Sequence, residues 1–387
     1  MNTIKDKVAI AGVGETKYYK RGTAPLPEFR LACEAIIKAA EDAGIPVTEI
    51  DGFASYSNDR NDASRLATAL GLPHLAFSNM VWGGGGGGGS GAVANAAAAV
   101  AAGYAKYVVV FRALAQGQFG RFGQAAPMKN ISGDFAYTLP YGLMSPAQMF
   151  AMRVRRFMHE HHIEQDALAA VALAAYHHAQ SNPRAVMYGR PLTREAYDES
   201  RWIVEPFHLY DCCLENDGAA AVIVTSSERA RDLKSKPAYL MAAAQGSDYR
   251  QNAGAHNAPD YATSNFKTLA PRLYQMAGIT PKDIDVVQAY ENFTGGVVMS
   301  LVEHGFCEAD QANEFCTIEN FLAPAGKLPL NTSGGNLAEC YMHGLELVIE
   351  AVRQVRGTST SQVKDADISM VISGPMVTPV SDLILHG

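Results

Sequence analysis

The sequence predicts an α/β fold made of two similar halves. Short β-branched runs alternate with helical stretches, and one helix–turn–strand signature occurs twice. Hydrophobic residues make up 48% of the chain and charged residues 18%, enough to build large buried sheets. Strand signals fall at 7–13, 107–111, 220–225, 285–288 and 368–372. Helical periodicity falls at 28–43, 91–102, 146–161, 165–179, 266–277, 295–304 and 344–355. Residues 43–51 read AGIPVTEID and residues 277–285 read AGITPKDID. Each follows an apolar helix, carries a helix-ending glycine and a short capped turn, and feeds a strand. The repeat divides the chain into halves of 1–240 and 241–387. An insertion at about 112–205, rich in Arg, His, Met and aromatics, lengthens the first half. An elaboration of that length is expected to cover a site rather than to build the core.

Composition excludes several functions. A net charge of −7 argues against binding nucleic acid. None of the six cysteines stands in a CxxC pair, which excludes a disulfide scaffold or zinc ribbon in this chain. The eleven histidines form no metal box; His159, His161, His162, His177 and His178 read as helix-surface or lid positions, so no metal site is expected. No apolar run near the start reads as a secretory signal. The most apolar stretch, 92–111, is broken by Gly103, Tyr104 and Lys106 and reads as a buried helix plus strand, not a membrane span. A cytoplasmic location is the expectation.

Four segments carry the chemistry. Seven consecutive glycines at 83–89 precede Ser90 and an Ala-rich helix. No Gly-Lys-Ser/Thr follows, so this is no phosphate loop; it reads as a strained turn entering a buried helix. The run at 210–225, YDCCLENDGAAAVIVT, places small residues before a buried strand. Cys212 and Cys213 read as structural thiols, and Asp217-Gly218 as a turn. The segments YENFT (290–294) and NTSGGNLAECYMHG (331–344) are loops before helices, and each offers one tyrosine, Tyr290 and Tyr341. Loops at the carboxyl ends of strands are where open α/β sheets bind ligands. A phenol can serve as acid or base, although its ordinary pKa of about 10 needs help.

Together these segments resemble the thiolase superfamily, in its sterol-carrier-protein-X and lipid-transfer branch, over essentially the whole chain. DCCLENDGAAA is the most specific match. The resemblance implies a five-layered α-β-α-β-α thiolase fold, with the helices starting near Ser90 and Met342 in the central layer. It places the family's nucleophilic cysteine at Gly86, its Asn-Glu-Ala-Phe motif at 290–293 and its Gly-His-Pro histidine at Tyr341. Its last cysteine motif falls near 372–375, where this sequence reads ISGP and has no cysteine. Thiolysis needs a thiolate, an activating histidine and a second cysteine, and all three are missing. Paired tyrosines are similar instead to the steroid side-chain aldolases, which cleave a bulky β-hydroxyacyl-CoA by retro-aldol chemistry with no covalently bound cofactor and no metal.

The resemblance therefore implies Tyr290 and Tyr341 as acid–base residues, with Tyr341 favoured as base. Backbone N–H groups near Gly86 and Gly374 are the implied enolate donors. Glu291, Asn292, His343 and Arg121 are candidate substrate contacts, and CoA phosphates are expected on Arg121 or the arginines at 153–156. A small partner carrying an OB-fold and a zinc ribbon is implied. A homodimer core is expected to cover the glycine-rich segment and the strand after it. Partner-dependent β-ketoacyl-CoA cleavage and a non-catalytic acyl-CoA-binding subunit stay open as alternatives.

Overall fold

The computed structural model describes residues 4–57, 59–119, 131–251 and 258–387. The first half runs through strand β1 (Val8–Glu15), helix α1 (Glu28–Ala43), β2 (Gly52–Tyr56), α2 (Ala63–Leu70), β3 (Phe77–Val81), α3 (Gly88–Ala101) and β4 (Val108–Ala115). Helices α4 (Pro146–His161) and α5 (Gln165–Ala179) precede strands β5 (Asn216–Ser226) and β6 (Ala238–Gly246). The chain continues through α6 (Leu269–Ala277), β7 (Val286–Ala289), α7 (Thr294–Glu303), α8 (Leu345–Arg356), β8 (Ile368–Ser373) and β9 (Val380–His386).

The strands stand in the order β7-β8-β9-β6-β1-β5-β4-β2-β3, and the order displays the duplication. Strand β2, which follows the first repeat, pairs parallel with β4; antiparallel β5 and β1 come next. Strand β7, which follows the second, pairs parallel with β8; antiparallel β9 and β6 come next. The first half's extra edge strand β3 has a vestigial counterpart in the single parallel bridge between Val287 and Leu330. The 240/241 boundary read from the sequence lies inside β6.

The five layers follow from packing. Helix α1 covers β1, β4 and β5 on one outer face, and α6 covers β6 and β9 on the other. Helices α3 and α8 lie between, each touching strands of both halves and each other. The two sheet layers are not separate, however. Strands β1 and β6 pair through Ala9–Tyr239 and Ile10–Ala238, which makes one continuous hydrogen-bonded ladder.

The insertion differs from its expectation. Phe150, Val154 and Phe157 of α4 and Leu168, Val171 and Tyr176 of α5 belong to the same core as Leu273, Val287 and Ile372. The cause is composition: α5 is apolar on nearly every side and has no broad polar face to give to water. Arg153 is buried too and donates to the Met376 carbonyl at 3.0 Å, so it is taken from the expected phosphate contacts; Arg155 and Arg156 are exposed.

The reason given for a dimer also changes. All of β4 is buried within the chain, as are Gly86 to Gly91. What stays open is the edge strand β3, with Met80 47% and the following Trp82 86% exposed. Among the described residues no helix is long and apolar enough to cross a membrane.

Candidate active site

The glycine run is a turn, as its composition predicts. Gly83, Gly84 and Gly85 have φ of 68°, 75° and 48°, a region that disfavours side chains. Helix α3 then starts at Gly88, three residues earlier than its apolar pattern suggests. Its first-turn N–H groups are taken up by the other half: Ser90 N donates to Ser373 Oγ at 3.2 Å and Gly91 N to Ser381 Oγ at 2.8 Å.

Gly86 is a glycine for want of space. A Cβ there would stand 2.1 Å from Tyr290 Cζ and 2.6 Å from its hydroxyl. The Tyr290 phenol therefore fills the volume that any side chain at position 86 would need. Gly374 closes on the same turn: its Cβ would meet Gly87 N and Cα at 2.3 Å.

Tyr290 sits just past the end of β7 and donates its N–H to Ile372 O at 2.9 Å. Asn331 imitates a neighbouring strand for it. Its side chain accepts from Ala289 N at 2.7 Å and donates to Ala289 O at 2.9 Å. His178 in turn is buried, not on a helix surface. Its Nδ1 bonds Asn331 O at 3.2 Å, and its Nε2 accepts from Ala323 N at 3.0 Å, which fixes the neutral tautomer. Burial pushes the His178 pKa down to about 4.

Tyr341 lies in the non-helical stretch between a π-turn at Gly335–Glu339 and α8. Its N–H donates to Asn216 Oδ1 at 2.6 Å. Asp217 accepts from Gly22 N at 2.7 Å and Gly117 N at 2.9 Å. Asn216, Asp217 and Gly218 are thus the first residues of β5, not a turn before it. They clamp the start of the insertion on one side and the Tyr341 loop on the other.

The two loops bring the phenols together. Tyr290 Oη and Tyr341 Oη are 2.7 Å apart, with ring centroids at 6.0 Å. The residues are 2% and 5% exposed. Burial pushes both pKa values well above the usual range, and the partner phenol adds to the rise at Tyr290. Each hydroxyl is therefore neutral, and one donates to the other.

The other expected contacts are distributed around this pair. The carboxyl of Glu291 lies over the Gly335 backbone, where a Cβ would be 1.8 Å from Oε1, and burial pushes its pKa up to about 8. Asn292 Oδ1 accepts from Phe293 N at 3.0 Å, and the Asn292 carbonyl accepts from Cys213 N at 3.1 Å. His343 is buried between the rings of Tyr341 and Tyr56, with centroids at 5.2 and 6.2 Å, and burial with nearby Arg112 holds it well below the usual histidine range. Arg121 lies outside the described residues. Cys213 and Cys340 are pushed far up by burial and hold no thiolate. Among the described residues no group of three or more His, Cys, Asp and Glu is placed to hold a metal ion. Sequence reading passed over Asn216, Asn331, Asn336 and Glu346. Asn216 left a signal as part of the NDGAAA run, and Asn331 and Asn336 as part of NTSGGNLAECYMHG; Glu346 left none.

Residues 247–385 match the family of thiolase C-terminal domain-like sequences. The steroid side-chain-cleaving aldolase of Thermomonospora curvata is 41% identical, covering 100% of this chain and 99% of that protein. The 17-hydroxy-3-oxo-4-pregnene-20-carboxyl-CoA lyase of Mycobacterium tuberculosis is 38% identical, covering 99% of this chain and 100% of that one. The solved Ltp2-ChsH2(DUF35) aldolase superposes with a TM-score of 0.92 at 38% identity, covering 100% of this chain and 99% of that one. A thiolase scaffold, and identity of this extent to aldolases along the full length, lead to one assignment: the chain belongs to the thiolase-like family of the steroid side-chain-cleaving aldolases.

Proposed function

We propose that this protein is an acyl-CoA retro-aldolase, a carbon–carbon lyase that splits a bulky β-hydroxyacyl-CoA of the steroid side-chain type into a ketone or aldehyde and a shorter acyl-CoA. The observation that carries the mechanism is the buried phenol pair, hydroxyl to hydroxyl at 2.7 Å, packed against Gly86.

Retro-aldol cleavage moves one proton from the β-hydroxyl to the α-carbon. Neither phenol ionises readily in this buried site, so a free phenolate base is unfavourable. Two hydrogen-bonded phenols avoid the need for one. The β-hydroxyl proton passes to Tyr341 Oη as the Tyr341 proton passes to Tyr290 Oη and the Tyr290 proton passes to the α-carbon. The Cα–Cβ bond breaks, its electron pair stays on the α-carbon, and the β-carbon becomes a carbonyl. Both tyrosines end as they began, neutral and protonated. The charge that develops on the thioester oxygen is met by backbone N–H groups near Gly86 and Gly374.

The substrate carries CoA as its thioester. A small partner subunit fits this reading, because the solved neighbour is an Ltp2-ChsH2(DUF35) aldolase. A homodimer is supported by the open edge of β3 with Met80 and Trp82. A cytoplasmic setting is supported by six cysteines that are all free. The test is incubation with β-hydroxyacyl-CoA thioesters, steroidal and simple, with and without a co-purified partner. Ketone or aldehyde plus shortened acyl-CoA is the expected product. Turnover of β-ketoacyl-CoA with free CoA in its place would overturn the proposal.

A further inference from the structure

The stretch from Cys340 to His343 lies between the π-turn and α8; Cys340 N still donates to Gly335 O at 3.2 Å, and the amides after it need other partners. Two consecutive N–H groups are satisfied by buried side chains. Tyr341 N donates to Asn216 Oδ1, and Met342 N donates to Glu346 Oε1 at 3.2 Å. Glu346 Oε1 also accepts from the Asn336 side-chain amide. Asn336 reaches across the site: its Oδ1 accepts from Glu291 N at 3.2 Å, and its carbonyl accepts from Leu214 N at 2.9 Å. One carboxyl oxygen thus links the Tyr341 segment, through Asn336, to the residue after Tyr290.

Glu346 is 1% exposed, on the first turn of α8. Among the described residues its Oε2 has no hydrogen-bond partner. A buried carboxyl with one unsatisfied oxygen costs stability, and a leucine at a buried helix position would not. Such a cost is usually retained at functional sites.

We propose that Glu346 is a positioning residue of the aldolase reaction: through the Met342 N–H and the Asn336 amide, it holds Tyr341 at hydrogen-bond distance from Tyr290. The inference rests on the retro-aldolase reading for its kinetic arm. Neutral glutamine offers the same acceptor oxygen, so acceptor geometry is the property that matters. Burial favours the protonated, uncharged form of Glu346, consistent with this.

Two variants test it, Glu346→Gln and Glu346→Leu. Leucine should lower kcat about 10- to 100-fold with KM within threefold of wild type and an unchanged or raised Tm. Glutamine should restore kcat to within about threefold. In a Tyr290→Phe background, Glu346→Leu should cost nothing further, because the contact it serves is already gone. A second measurement is independent of turnover. With 13Cζ-labelled tyrosine, the resonances of Tyr290 and Tyr341, assigned from their Phe variants, should move in Glu346→Leu and stay in Glu346→Gln. A folded Glu346→Leu with wild-type kcat and unmoved phenol resonances overturns the proposal. So does a Glu346→Gln as impaired as leucine, which also decides the matter if the leucine variant does not fold. If wild type turns over no hydroxyacyl-CoA, the aldolase reading fails, while the NMR arm still judges the positioning role.

Discussion

Removing either phenol hydroxyl should stop the reaction while leaving the molecule folded, and removing both should cost no more than removing one. Tyr290→Phe and Tyr341→Phe keep the rings, which pack at 6.0 Å, and delete one oxygen of the 2.7 Å contact. Each single variant leaves the surviving hydroxyl buried without that partner, a loss of roughly 1–3 kcal/mol; the double variant removes both polar atoms and should recover part of it. Loss of an acid or base typically lowers turnover by about 10²–10⁴. In a concerted relay the two groups act as one unit, so the double variant should lie within a few-fold of the worse single, not at the product of the two effects. The assay is single-turnover cleavage of a β-hydroxyacyl-CoA, with unfolding in urea measured on the same preparations. A proton inventory in mixed H2O and D2O adds a second reading: with three protons in flight, the rate should bow downward against deuterium fraction. Multiplicative losses with a linear inventory would refute the relay and return the tyrosines to separate, stepwise roles.

Three further outcomes follow from the same structure. Gly86→Cys should not restore thiolase chemistry; its Cβ would overlap the Tyr290 ring at 2.1 Å, so overpacking of about 1–3 kcal/mol and loss of aldolase turnover are expected, and thiolysis by this variant would contradict the geometry. Cys340→Ser should retain turnover, and thiol reagents should leave the native enzyme active, since this thiol is 0% exposed and held protonated; complete loss in Cys340→Ser would reveal a nucleophile. The pKa of His178 falls from 6.5 to about 4 on folding, so its contribution to stability is full above pH 6.5 and is lost as pH falls toward 4. The gap in unfolding free energy between wild type and His178→Gln should shrink by on the order of 3 kcal/mol between pH 7 and pH 4; a constant gap would mean that His178 is not buried neutral.

Local chemistry explains which features the sequence made legible. Strands β4, β5 and β8 are rich in valine and isoleucine, and the repeated AGI turn announces β2 and β7 by the glycine that ends each preceding helix, Gly44 and Gly278, both left-handed. Strand β6 went unread because AYLMAAAQG has little β-branched content; it is a strand because β9 and β1 lie beside it. Helix α5 was visible as a helix, yet its role was not. Periodicity reports the faces of a helix, whereas the neighbours that bury them come both from 194–211 and from 294–339, far along the chain. With 17 tyrosines no single one stands out by composition; the two small-residue loops singled out Tyr290 and Tyr341, and the resemblance supplied their acid–base roles. The supporting roles of the side chains around them were not legible. Asn331 and Asn336 act through the backbone of Ala289 and Glu291, more than forty residues away, which no local spacing encodes; Glu346 bonds Met342 four residues away, a pair whose role shows only once the loop is folded.

The glycine at position 86 and the phenol at position 290 require each other sterically. A side chain at the turn before α3 and a ring at the end of β7 exclude each other, because they claim the same volume at 2.1 Å. By the resemblance, a thiolase would place its nucleophile at this turn, at a helix start where the N–H groups favour an anion. Here the α3 N–H groups at Ser90 and Gly91 are occupied by Ser373 and Ser381, so the helix start is tied into the other half. The phenols proposed to react sit on two loops held by side-chain amides and a carboxyl, Asn331 under Tyr290 and Asn216 with Glu346 under Tyr341. Loops of that kind keep a short contact only while each support is in place. Activity should therefore be more sensitive than stability to substitutions at Asn216, Asn331 and Glu346, and substitutions of comparable size in α1, remote from the phenols, should show the reverse order.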